Sequence, residues 1–309
     1  MKSGFVNIIG NPNVGKSTLM NRLVGERISI ITSKAQTTRH RIMGIVNGAS
    51  GDGGLGSEHG DFQIVYSDTP GILRPGYKLQ ESMMRFVKGA VQDADVILYV
   101  TDTVEGAAVG GGPMERSAEV VENIKASGIP TIVIINKIDL STPEAVGAMV
   151  ERWQALLPDA QVTASSALLG FNTEGLLSRV LELLPEGDPY YDRDALTDRS
   201  LRFFASEIIR EKILLNYSKE VPYSVEVAIE EYREEATIDR IRAVIYVSRA
   251  SQKGIVIGHK GEKLKKVGTA ARHDLEEFLG KKVFLELFVK VADGWRDNDS
   301  ALRRFGYEE

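Results

Sequence analysis

Few folds can accommodate the run Gly10-Asn11-Pro12-Asn13-Val14-Gly15-Lys16-Ser17 where it stands in this chain. Before it lies a short apolar, β-branched stretch, Phe5 to Ile9; after it, Leu19, Met20, Leu23 and Val24 recur at helical spacing. A strand, a glycine-rich turn and a helix in that order make a cradle for phosphate. Gly10 and Gly15 let successive N–H groups face one anion, and the helix adds the positive end of its dipole. In such a cradle Lys16 reaches the terminal phosphates of a nucleotide, and the Ser17 hydroxyl completes the shell of a magnesium ion. Asn11, Asn13, Val14 and Thr18 complete the candidate lining.

Apolar runs at Phe62 to Tyr66, Val96 to Val100 and Thr131 to Ile135 alternate with helical patterns near Glu81 to Val91, Arg116 to Lys125 and Pro143 to Leu157. That rhythm predicts an α/β fold with a mostly parallel, doubly wound sheet, whose ligands sit at the carboxyl ends of the strands. The polar signatures fall there. Asp68-Thr69-Pro70-Gly71 offers a carboxylate to hold magnesium through water and a bare amide, Gly71, to approach a γ-phosphate. Asn136-Lys137-Ile138-Asp139 supplies a choice of base. Asp139 can accept two hydrogen bonds from guanine, where adenine has no matching donor pair, and a buried carboxylate left unpaired is costly. Ser165-Ser166-Ala167 follows the strand around Val162 and brings a backbone amide within reach of the guanine oxygen, through Ser166 or Ala167.

In order and spacing these residues resemble the translation-factor-like, Ras-like P-loop GTPases, and Gln36-Thr37-Thr38-Arg39 narrows the likeness to the Era and TrmE branch. The resemblance implies GTP and GDP as ligands with Mg2+ as cofactor. It implies Thr38 as a magnesium-sensing residue, with Thr37 as the fallback, and Lys16, Thr38 and Gly71 as the catalytic group. Where Ras-like enzymes carry a water-orienting glutamine, this chain has Ile72, which can neither orient nor deprotonate water. Slow intrinsic turnover is therefore implied. Some relatives use an asparagine of the phosphate loop to bind potassium; Asn13 is either that ligand or a residue capping its own turn.

The chain has 309 residues, enough for two domains, and no cysteine, which excludes a disulfide framework and thiolate metal sites. It opens directly into the first strand and has no apolar stretch near spanning length, so a cytoplasmic address is expected. The net charge of −5 counts against nucleic acid only until it is read by region. From Lys253 to Arg272 there are six basic side chains and a single acid, Glu262, a local positive surface or a solvated helix face. Two glycine-heavy tracts, Gly48 to Gly60 and Gly106 to Gly112, predict a mobile tip and a surface loop, with His59 a solvated member of the first.

Around PEGDPYYDRDALT, Pro185 to Thr197, the helical pattern gives way to charged turn residues. The expected division is a first domain over 1–187, a linker over 188–198 and a second domain over 199–309. The second domain reads as a helix from Ser200 to Leu215, strands Tyr223 to Glu231 and Ile238 to Val247, two helices flanking Gly258 to Gly261, and a strand Val283 to Val289.

Ile255-Val256-Ile257-Gly258-His259-Lys260-Gly261, leading into Glu262-Lys263-Leu264-Lys265-Lys266, resembles the clasp of an α+β KH domain of type II. In KH domains the glycine loop clamps nucleic-acid backbone while an adjacent apolar groove takes four bases. By that likeness Gly258, His259, Lys260 and Gly261 grip RNA phosphates, Lys263, Lys265 and Lys266 add attraction, and Ile255, Val256 and Ile257 either support the groove or belong to the core. Trp295 either stacks on a base or packs the tail.

A GTPase followed by a type II KH domain is the arrangement of the Era family, and the likeness runs from Phe5 to Tyr307. It implies a nucleotide-controlled factor in small ribosomal subunit assembly that binds the single-stranded 3′ end of small-subunit ribosomal RNA, with no DNA partner and with room for peripheral association with the inner membrane. Two alternatives stand beside it: a GTPase coupled to RNA modification, as in TrmE relatives, and a nucleotide-gated interaction module with little turnover. Against the first, residues 190–309 hold no cysteine and no second catalytic constellation.

Overall fold

The computed structural model describes residues 1–50, 59–106 and 113–308. The chain divides into two compact units: Met1–Ser29, Thr38–Pro75 and Met83–Asp198 in the first, and Ile30–Thr37, Gly76–Ser82 and Arg199–Glu309 in the second. The glycine tracts expected to form a tip and a surface loop fall largely at 51–58 and 107–112, outside the described residues.

In the first unit β1 (Lys2–Gly10), β2 (Ile42–Gly48), β3 (Phe62–Asp68), β4 (Val96–Asp102), β5 (Thr131–Asn136) and β6 (Gln161–Ala164) form one sheet in the order β2-β3-β1-β4-β5-β6. Only the β2 and β3 pair is antiparallel. Strands β3, β4 and β5 are buried along their whole length, which is why they read as continuous apolar runs instead of alternations. Helices α1 (Lys16–Val24), α2 (Lys78–Gln92, of which Met83 onward belongs to this unit), α3 (Pro113–Ser127), α4 (Pro143–Leu156) and α5 (Thr173–Leu183) accompany the sheet. Helix α2 starts three residues ahead of the expected Glu81, because the Tyr77 carbonyl accepts from the amides of Gln80 and Glu81.

Register fixes where the chemistry lies. Ile8 pairs with Asp68, Gly10 with Val100, Asp102 with Asn136 and Ile135 with Ala164, so the polar motifs share one edge of the sheet. The 188–198 segment lies along the opposite flank of β2 and β3. Leu196 accepts from the Ile45 amide at 2.8 Å, Arg193 from Asn47 Nδ2 at 3.0 Å, and Gln63 Oε1 from the amides of Tyr190 and Tyr191 at 2.7 and 3.0 Å.

In the second unit α6 (Leu201–Asn216) is capped by Ser200, and is followed by β7 (Val225–Glu234), β8 (Ile238–Val247), α7 (Ala250–Ile257), α8 (Glu262–Leu279), β9 (Lys282–Val291) and α9 (Asp299–Arg304). Strands β7 and β8 are antiparallel and β8 and β9 parallel; helices α7 and α8 make the crossover that a parallel pair needs. Ile209, Ile213, Val225, Ile245, Val256, Val267, Ala271 and Leu275 are buried together between sheet and helices. Trp295 resolves its two readings. It is buried, donates its indole N–H to Ser224 O at 3.0 Å and meets Phe305 edge-on, so it packs the tail.

Candidate functional site

The turn between β1 and α1 places Gly10 at φ 156°, Asn13 at φ 65° and Gly15 at φ 97°. Glycine is required at Gly15, since a Cβ there would come within 2.2 Å of Asn136 Nδ2. Asn11, Val14 and Lys16 are buried, Thr18 is half-buried in the first helical turn and Asn13 is exposed. The Lys16 ammonium lies under the loop, donating to the carbonyls of Gly10 and Asn11 at 3.0 and 2.8 Å.

Ser17, Thr38 and Asp68 meet at one point. Ser17 Oγ donates to Asp68 Oδ2 at 2.6 Å, and Thr38 Oγ1 lies 2.9 Å from Ser17 Oγ and 3.4 Å from Asp68 Oδ2. The hydroxyl of the fallback residue Thr37 is instead bonded to Thr32 Oγ1 and Lys34 O, both at 2.6 Å. Asp68 is wholly buried, and its Oδ1 has no hydrogen-bond partner. Burial pushes its carboxyl above the ordinary value, against the charge of Lys16 and the hydroxyls of Ser17 and Thr38. A buried, incompletely satisfied carboxylate beside two hydroxyls is a hard oxygen donor set, and it fits magnesium. Gly71 packs against the phosphate loop: a Cβ there would meet the backbone of Pro12 at 2.7 Å, so glycine is what lets the two segments approach. Ile72 is buried in the apolar core, with its amide bonded to Gly10 O at 3.1 Å.

The loops that follow β5 and β6 are cross-tied to the turn between β1 and α1. Asn136 Nδ2 donates to Val14 O at 2.8 Å and Asn136 Oδ1 accepts from the Ala167 amide at 2.9 Å. In this geometry the Ala167 amide braces Asn136. Lys137 Nζ bonds Asn13 O and Asp102 Oδ2, both at 2.5 Å. Asp102 escaped the sequence reading, although its place at the end of an apolar strand is a usable signal. Asp139 accepts from Ser166 Oγ at 2.6 Å and is exposed, contrary to the expected buried carboxylate, because it sits in the short turn just past the end of β5.

In the second unit Gly258, Lys260 and Gly261 all have positive φ, at 75°, 46° and 81°. A Cβ at Gly258 would lie 2.8 Å from Lys263 Cβ. His259 and Lys260 stand exposed at the tip between α7 and α8. Beside them a cleft of about 370 Å³ is lined by Gly261, Leu264, Lys265, Gly268, Arg272 and Leu287, among others. Ile257 does not reach this cleft: it packs against the core next to fully buried Val256, because α7 turns that face to the sheet. Ile255 and Lys263 line a second, smaller hollow. Lys266 is exposed on α8. Gly268, Arg272, Leu285 and Leu287 were missed, since only the pairing of β9 beside α8 brings them together.

Fold and site define a Ras-like P-loop GTPase carrying a KH module. A family model described as a 50S ribosome-binding GTPase matches residues 5–137, and a KH domain model matches 220–296. GTPase Era of Staphylococcus haemolyticus is 43% identical over 309 residues, covering 100% of this chain and 98% of the relative. GTPase Era of Caldanaerobacter subterraneus is 43% identical over 308 residues, covering 99% and 98%. Two crystal structures, Aquifex aeolicus Era bound to GDP and AlF4− and Era in complex with MgGDPNP and nucleotides 1506–1542 of 16S ribosomal RNA, each match with 39% identity, a TM-score of 0.90 and full coverage of both chains. The chain belongs to the Era family of GTPases.

Proposed function

We propose that this protein is a GTP-controlled RNA-binding factor in small ribosomal subunit assembly, in which residues 1–187 act as the GTPase domain, 188–198 as the connecting segment and 199–309 as the KH domain. The observation that carries the reading is the coexistence in one chain of a cross-tied phosphate cradle and a GxxG clasp beside a cleft lined by leucines and basic side chains. The solved Era complex with MgGDPNP and a 16S ribosomal RNA segment, matched over the full chain, supports the 3′ end of that RNA as the partner.

Lys16 would offset charge on the terminal phosphates, and the Gly71 amide would meet the γ-phosphate. Ser17 and Thr38 would hold magnesium directly and Asp68 through water. When bound, the ion supplies positive charge against that developing on the phosphates. Asp139 would accept from guanine, with Asn136 and Lys137 as braces. Asn13, exposed on the loop, is the residue we assign to potassium; equal hydrolysis rates in sodium and potassium at matched ionic strength would remove that assignment. We place the protein in the cytoplasm, with peripheral contact to the inner membrane; no helix among the described residues is long and apolar enough to cross a membrane.

Buried Ile72 favours one competing reading, a nucleotide-gated module with little turnover. A single-turnover GTP assay with and without the RNA separates the two: RNA-stimulated turnover supports the enzyme, and none supports the passive module. Crosslinking with a non-hydrolysable GTP analogue should recover small-subunit RNA 3′ ends; recovery of mainly transfer RNA would instead favour a modification enzyme.

A further inference from the structure

Nothing in the sequence marks Glu207 and Arg210, midway along α6, yet both side chains are buried, with Arg210 only 1% exposed. A buried ion pair is seldom worth its desolvation, so its presence calls for a geometric explanation. The fork of Arg210 supplies one. Nε donates to Glu207 Oε1 at 2.7 Å and Nη2 to Glu207 Oε2 at 2.5 Å, while the outer side of the guanidinium grips two successive backbone carbonyls: Nη1 to Gln36 O at 3.4 Å and Nη2 to Thr37 O. All four residues belong to the second unit. Planar, multiply donating recognition of this kind suits arginine and not lysine.

The gripped backbone is itself unusual. Gln36 has φ 57°, a left-handed conformation that a non-glycine residue keeps only when its surroundings hold it. Its side-chain Oε1 accepts from Tyr77 Oη at 3.0 Å, Lys34 Nζ donates to the carbonyls of Leu214 in the last turn of α6 and of Tyr217 just past it, and the Ile31 amide donates to Glu211 Oε1 at 3.3 Å. Residues 30–37 are thus bound at both ends to α6, and the next peptide unit carries Thr38, whose hydroxyl meets Ser17 and Asp68.

We propose that Arg210, oriented by Glu207, is a positioning residue for GTP hydrolysis: by fixing the carbonyls of Gln36 and Thr37 it sets the backbone from which Thr38 reaches the metal site. The inference rests on the assignment of Thr38 made above. It gives α6 a direct mechanical hold on the segment that precedes Thr38. Release of the grip lets Gln36 leave its left-handed conformation and carries Thr38 away from Ser17.

The test uses the full chain. Arg210→Met alone strands the Glu207 charge and invites misfolding, so the informative variant is Arg210→Met combined with Glu207→Leu, which removes both charges and keeps the volume. Two readouts are taken beside Thr38→Ala: amide hydrogen exchange of peptides covering 30–40, and single-turnover hydrolysis with GTP affinity measured separately. Faster exchange in 30–40 together with hydrolysis slowed roughly ten- to a hundredfold, at GTP affinity within about threefold, supports the proposal. Unchanged exchange overturns the grip whatever Thr38 does. Faster exchange with unchanged hydrolysis, where Thr38→Ala is crippled, overturns the positioning role while leaving the Thr38 assignment intact. If Thr38→Ala hydrolyses normally, the assignment fails and the positioning role falls with it, while exchange still reports on the grip.

Discussion

The phosphate loop at 10–17 and the GxxG loop at 258–261 solve a similar problem with opposite degrees of constraint. Each places glycines with positive φ at the start of a helix, the arrangement we propose brings backbone up to phosphate. The first is braced from outside its own segment, by Asn136 on Val14 O and Lys137 on Asn13 O, and its lysine is buried. The second presents His259 and Lys260 to solvent and relies on the cleft behind them. A braced site pays its ordering cost during folding and can discriminate one small ligand sharply, whereas an open clasp tolerates a flexible chain and gains through several weak contacts.

That contrast can be broken most severely at the base-reading end. Asp139→Asn exchanges an acceptor for a donor, and should lower GTP affinity by about 10⁴-fold while admitting XTP, as measured by competitive nucleotide binding. Unaltered GTP affinity would place guanine recognition elsewhere. Gly71→Ala pushes a methyl against the Pro12 backbone. Hydrolysis should fall about a hundredfold in a single-turnover assay, with GDP affinity changed far less. At the open clasp, Gly258→Ala imposes both positive φ and a clash with Lys263, and should weaken RNA binding roughly tenfold while GTP binding is unaffected. Lys265→Ala should weaken RNA binding only a few-fold and reduce the salt slope by about one, since it removes one phosphate contact from many.

The subtlest effect is on stability. Because folding raises the Asp68 pKa, the folded state keeps its proton at pH values where the unfolded chain has lost it. Stability therefore declines as pH rises from the ordinary carboxylate value of 3.8 through the raised folded value. Without magnesium and nucleotide, Asp68→Asn should melt higher than the parent at pH 7, and the gap should close as pH falls toward 4. A gap independent of pH would assign the effect to packing.

What could be read from the sequence was contiguous. Gly10 to Ser17, Asn136 to Asp139 and Gly258 to Gly261 each carry their chemistry within a few residues, and each stands at the strand or helix end expected of it. Arg272 and Leu287 could not be read this way, because helix packing across many residues brings them to the cleft; Asp102 had a signal in its strand-end position, but only register sets it opposite Asn136. Ile257 shows a related limit: β-branched residues before a glycine look the same whether their helix turns them to a cleft or to the core, and here Ile257 packs against the core. The grip of Arg210 on the carbonyls of Gln36 and Thr37 leaves no compositional trace at all, since backbone acceptors have no sequence signature.

The segment that covers β2 has a practical meaning for anyone dividing this molecule. An uncovered outer strand is a template on which a second copy can add its own, and here the departing chain occupies that position through Ile45, Leu196 and Thr197. A fragment stopped at residue 187 would bare it and should self-associate, whereas one stopped at 198 would keep its selvedge and stay apart.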